Sequence, residues 1–175
     1  MVNPWQRVDV IMLRPGQSER LCRLPYPGHT KGCPNVGKKR GCPPNAPGIA
    51  EVLRLDEDVW AIWNGFDLAS HVARMRGRQP DWSDRQLRCC LYWQPKARKE
   101  LRANICRFLA AHRGLVVADT PEANGVNVTK TMKSIGIALE WPPRRRAYQI
   151  VLAGTPIVLI GDPAEDAGVK KVGFF

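Results

Sequence analysis

The sequence has no apolar run near the ~18–20 residues needed to cross a bilayer, and Met1 to Arg7 contains no basic segment leading into a hydrophobic stretch. Membrane spans and secretory leaders drop out, and a cytoplasmic protein is expected. Acidic residues are scarce: 16 Asp and Glu stand against 27 Lys and Arg, a net charge of +11. That field favours nucleic acid, nucleotides or other polyanions as partners without naming one. No Gly-rich phosphate loop, His-Glu-x-x-His pair or nucleophile elbow is present, so the enzyme classes built on them are set aside. The only internal echo is a short one, Gly32-Cys33-Pro34 repeated as Gly41-Cys42-Pro43.

The 175 residues, 44% hydrophobic and 25% charged, suffice for one compact domain with a real core. Residues 7–13 read as a strand. From Arg14 to Gly48 the pattern collapses: seven prolines, six glycines and three cysteines leave little room for helix or strand. After Gly48 helical signals dominate. Phe66, Leu68, Val72 and Met75 suggest one short helix. Ser83 and Gln86 form a capping box for a second, which places Leu87, Cys90 and Leu91 on an inward face until Pro95 breaks it. A third, from about Lys96 to His112, carries Leu101, Ile105, Phe108 and Leu109 as its apolar stripe and stops at Gly114.

Residues 115–118 read as a buried strand and 127–135 as a helix capped by Asn127 and closed by Gly136. Strands are expected at 137–141, 148–153 and 156–160, the last two joined by a tight turn at Gly154 and Thr155. The fold class is therefore α+β. A single domain over residues 1–161 packs a mixed or antiparallel sheet against several helices, carries a long cysteine loop at 14–48, and trails a tail at 162–175.

Six cysteines in a reducing compartment point to metal binding or catalysis before disulfides. Cys22, Cys33 and Cys42 lie in the segment that has no core of its own, where a metal centre is an economical tie. In each Gly-Cys-Pro the glycine admits close backbone approach and the proline fixes φ and removes a donor; bacterial ferredoxins likewise place proline after a ligating cysteine. Lys31, Lys38, Lys39 and Arg40 are expected to lower the thiol pKa values. A [4Fe–4S] cluster on Cys22, Cys33 and Cys42 is the leading expectation, with Cys90 the best fourth ligand and Cys89 beside it. Cys106 reads as a small core residue. Zinc is the alternative, held by Cys22, His29, Cys33 and Cys42 as a closed tetrahedral site. Three thiolates alone would leave one iron open to substrate.

The stretch Cys22 to Pro44, closing in Cys-Pro-Pro, together with the block Pro121-Glu-Ala-Asn-Gly-Val-Asn-Val-Thr-Lys-Thr131, resembles a family of small prokaryotic predicted metal-binding proteins. The two blocks cover about two fifths of the chain. The resemblance implies an iron–sulfur or other metal site formed by the cysteine loop, and a helix entered through a Pro-Glu-Ala-x-Gly segment. Members of that family carry further closely spaced cysteines before the second block and often one within it. This chain has Asn124 there and no cysteine after Cys106, which leaves the fourth ligand open.

Between Arg74 and Arg113 eleven basic residues face three acids, interleaved with Trp82, Tyr92 and Trp93. Aromatic platforms amid cations suit stacking on bases and contact with phosphates. Arg88, Tyr92, Trp93, Arg98 and Lys99, with the run Arg144, Arg145 and Arg146, are the candidate nucleic-acid or nucleotide contacts; a solvated helix face over an aromatic core is the plainer alternative. His71 reads as a packing histidine, His112 as a partner of helix-end carbonyls, and Glu122 as a proton carrier or simply a residue at the start of its helix. The expected function is an iron–sulfur protein open to sulfur-transfer or redox catalysis on a nucleotide or RNA. The alternative is a zinc-stabilised nucleic-acid-binding module without catalysis. The sequence specifies neither a substrate nor an oligomeric state.

Overall fold

The computed structural model describes residues 3–25 and 30–157; His29, part of the zinc alternative, and the tail 162–175 lie outside them. Four antiparallel strands make one sheet in the order β1-β2-β4-β3: β1 (Trp5–Val8), β2 (Val59–Asp67), β3 (Val116–Ala118) and β4 (Arg146–Gly154). The helices are α1 (Gln17–Cys22), α2 (Ile49–Val52), α3 (Leu68–Arg78), α4 (Asp84–Leu87), α5 (Cys90–Ala111) and α6 (Val128–Ser134). The chain forms an α+β domain, as the sequence implies. Among the described residues no helix is long and apolar enough to cross a membrane.

The middle strand β2 is the main departure from expectation, because the helical signals read after Gly48 end in a strand that carries Phe66 with it. Its residues alternate between two apolar layers. Val59, Ala61 and Trp63 pack with Ile49, Leu53, Val126, Val128 and Met132 on one side. On the other, Ile62 meets Leu101, Ile105 and Phe108 of α5, and Phe66 meets Leu68, Val72, Leu87 and Ala97. Burial of both faces erases the polar half of the period-2 pattern, so the strand reads as an apolar run of ambiguous type.

Ser83 caps α4 through the anticipated box, its hydroxyl accepting from the Gln86 N–H, but the helix ends at once and the chain breaks at Arg88–Cys89 rather than at Pro95. The break resets the helical phase. Cys90 and Leu91, expected inward, are exposed, Leu91 by 75%. Pro95 sits in the second turn of α5, where the carbonyl it frees belongs to this exposed Leu91. Asn127 caps α6 by accepting from the Lys130 N–H (3.1 Å).

Other boundaries shift. Strand 7–13 is Trp5–Val8, with a lone bridge from Leu13 to Val126; residues 137–141 form no strand. Past Gly154 no hairpin folds back within the described residues: Pro156 bridges Leu53, and the Ile157 N–H donates to Val52 (3.1 Å). Residues 158–160 of that expected strand lie outside the described residues. Edge strand β3 pairs only with Leu152 to Gly154, so the first half of β4 has no neighbour strand there.

Candidate metal centre and adjoining cleft

The described residues of 14–48 hold no member of the buried core clusters. Residues 30–48 form a series of hydrogen-bonded turns. The Cys33 N–H donates to the Cys22 carbonyl (2.7 Å), the Cys42 N–H to Lys39 (3.0 Å), and the Asn45 and Ala46 N–H groups to Cys42 (2.9 and 3.1 Å). Gly32 stands at φ +82°, and a Cβ there would lie 2.5 Å from the Cys22 carbonyl oxygen. Gly41 is different: nothing lies within 4 Å of its Cβ position. The two Gly-Cys-Pro copies are thus not equivalent. The first glycine admits neighbouring backbone, and the second is not crowded at all.

Cys22, Cys33 and Cys42 are all half-buried. Burial raises the Cys22 thiol above its ordinary value, and the neighbouring Cys33 and Cys42 raise it further. The shift at Cys22 runs opposite to the lowering expected from Lys31, Lys38, Lys39 and Arg40: burial and the two neighbouring thiols raise it, even though Lys31 and Lys38 line the same cavity. Cys22 and Cys33 line a surface cavity of about 510 Å³, and Cys42 acts on Cys22 from the following turn. Among the described residues no three His, Cys, Asp or Glu side chains form a ready-made metal cage. Cys89 and Cys90 lie at the α4–α5 junction, and Cys106, expected in the core, is exposed on α5.

What clamps the loop is the turn between β3 and α6. The Asn124 side chain donates to the Pro47 carbonyl (2.8 Å), the Ile49 N–H to the Asn124 carbonyl (2.9 Å), and the Arg14 N–H to Gly125 (2.7 Å). The Ser18 hydroxyl donates to the Glu122 carbonyl and the Thr120 hydroxyl to Gly41 (3.4 Å). Asn124 is buried. Pro121 to Gly125 therefore lies against the cysteine loop, joining two segments some eighty residues apart. No family model, curated protein or solved structure matches this chain.

The opposite side of the same turn faces a cleft of about 630 Å³, opened where β3 stops short of the first half of β4. Trp93, Arg98 and Arg102 of α5 form one wall, Arg146 and Tyr148 of β4 another, and Asp119, Glu122 and Trp141 the rest. Partial burial among the cleft walls raises the carboxyls of Asp119 and Glu122 above their ordinary range, although both residues remain exposed. Glu140 is held low by the backbone N–H groups of Arg145 and Arg144, each 2.9 Å away.

Of the expected nucleic-acid contacts, Trp93, Arg98 and Arg146 line the cleft. Arg88, Tyr92, Lys99, Arg144 and Arg145 do not. Arg88 pairs with Asp84 (3.1 Å) and donates to the Arg144 carbonyl (3.2 Å), while Tyr92 lies beside Trp82, ring centres 5.0 Å apart. Arg102, Asp119, Trp141 and Tyr148 were not anticipated. Arg102 carries a legible signal, one helical turn after Arg98; the others are placed only by the fold. His71 is buried against Phe66 (5.7 Å), with its pKa lowered by burial and then by Arg74. The His112 Nδ1 lies 2.9 Å from the Phe108 carbonyl at the end of α5, as expected of a helix-end histidine.

Proposed function

We propose that this chain binds an iron–sulfur cluster through Cys22, Cys33 and Cys42. The supporting observation is that Cys22 and Cys33 line one surface cavity with Cys42 near enough to act on Cys22, on a segment whose described residues join no core cluster and are clamped by hydrogen bonds to residues 120–125. Such a segment needs another source of order, and thiolate–metal bonds supply it. An all-sulfur donor set suits a cluster better than hard cations. The same clamp joins the two blocks that carry the family resemblance. Each thiol must lose its proton to ligate, and the positive charge of the metal reverses the mutual hindrance seen at Cys22.

Purification under argon tests the proposal. Iron and acid-labile sulfide in the protein, with absorption near ~400 nm that bleaches with dithionite, support it. Cys22→Ser, Cys33→Ser and Cys42→Ser should each lose the chromophore, and Cys106→Ser should keep it. A colourless protein, whether metal-free or holding stoichiometric zinc, overturns it.

A further inference from the structure

We infer that the cleft between α5, β4 and the 119–122 turn binds a nucleoside phosphate. This does not rest on the cluster, because none of the cysteines lines the cleft. Its volume of about 630 Å³ lies within the ~300–1,000 Å³ usual for small-ligand sites.

Two indoles are held as platforms. Trp93 is stacked on Phe66 with ring centres 5.2 Å apart and donates through Nε1 to the Arg88 carbonyl (3.2 Å). Trp141 donates through Nε1 to the Thr129 hydroxyl (3.1 Å) yet remains 70% exposed at the cleft. A large ring fixed in place but left in contact with water has an apolar face to offer a planar partner.

The cations have the matching arrangement. Arg98 and Arg102 are one helical turn apart on α5 and Arg146 approaches from β4. None of the three is ion-paired among the described residues. A planar guanidinium recognises phosphate oxygens in bidentate fashion. Asp119 and Glu122 supply carboxyl groups suited to sugar hydroxyls and base edges. Base and phosphate together account for the rings, the arginines and the carboxyls of one cleft.

The test titrates the purified full-length chain with AMP, CMP, GMP and UMP, following tryptophan fluorescence, with adenosine and a labelled RNA of about ten nucleotides as separate arms. At least one monophosphate should quench saturably with Kd below ~1 mM. The double variant Arg98→Gln/Arg102→Gln should weaken that monophosphate roughly tenfold or more while changing nucleoside binding little. Trp141→Ala, at an exposed position, should weaken both. Arg85→Gln, outside the cleft, should match wild type. RNA binding lost in the same cleft variants identifies a strand as the source of the nucleotide and supports the site. Absence of saturable binding by every ligand, or binding that the cleft variants leave unchanged, overturns the inference.

Discussion

Replacing Gly32 by alanine tests the architecture of the cysteine loop at one atom. The new methyl would lie 2.5 Å from the Cys22 carbonyl oxygen, 2.8 Å from the Arg23 carbonyl carbon and 2.9 Å from the Arg23 Cα. All three are backbone atoms of one short stretch and cannot step aside as a side-chain end would. The conformation adds its own cost, since φ of +82° is disfavoured for alanine by ~1–2 kcal/mol. Forcing a methyl into occupied space typically costs a further ~1–3 kcal/mol. The Cys33 N–H bond to the Cys22 carbonyl at 2.7 Å, worth ~0.5–1.5 kcal/mol net, is the first contact to give way. Together these put the local cost on the order of 3–5 kcal/mol, and at ~1.4 kcal/mol per decade the open form of the loop should rise by roughly two to three and a half orders of magnitude. Hydrogen exchange of the Cys33 amide reads this directly. Gly37→Ala, with φ of +70° and no neighbour within 4 Å, should show only the conformational part, about tenfold. Gly41→Ala, uncrowded and not at positive φ, should leave protection unchanged. Global unfolding should shift little, because the described residues of 14–48 contribute nothing to the buried clusters. The reasoning fails if Gly32→Ala retains wild-type protection at Cys33, or if Gly41→Ala loses as much.

Phe108 is 0% exposed and lies between Trp5, Trp60 and His112 at ring distances of 5.8, 5.7 and 4.1 Å; Phe108→Ala should cost ~3–5 kcal/mol in urea unfolding at unchanged m-value. A loss under 1 kcal/mol would mean that α5 is not docked through this ring. Glu122 should give a pH-dependent effect of fixed sign. Its folded carboxyl is raised above the ordinary 4.5, so its contribution to stability is fully present below that value and is lost as pH rises through the folded one. Glu122→Gln should therefore raise Tm near pH 7 and leave it unchanged at about pH 4, while an equal gain at both would refute the assignment.

The elements legible in the sequence are those whose signals are local. The Ser83 box, the Asn127 cap and the Leu101, Ile105, Phe108 stripe depend on residues within a turn or two of one another, and each appears where it was expected. β2 was hidden because it is covered by α5 on one face and by the α2–α6 layer on the other, so its sequence carries no polar alternation. Pro95 looked like a stop, and the stop came instead at Arg88–Cys89, which turned Cys90 outward. The three cysteines could be singled out from composition. That Asn124 and Ile49 would bind the cysteine loop to the 120–125 turn could not, since nothing in either segment encodes its partner.

By itself the amino-acid sequence determined the charge surplus, the coreless cysteine segment, the helix caps and the α+β class, all of which follow from residue chemistry and short-range periodicity. The tertiary structure alone decided which glycine is crowded by backbone and that one turn borders both the cysteine loop and the cleft. It also decided that Trp93, Arg98 and Arg146 meet Asp119, Glu122 and Trp141 where β3 falls short. These outcomes depend on strand order and on where an edge strand stops, properties of contacts between distant segments that no stretch of chain carries alone.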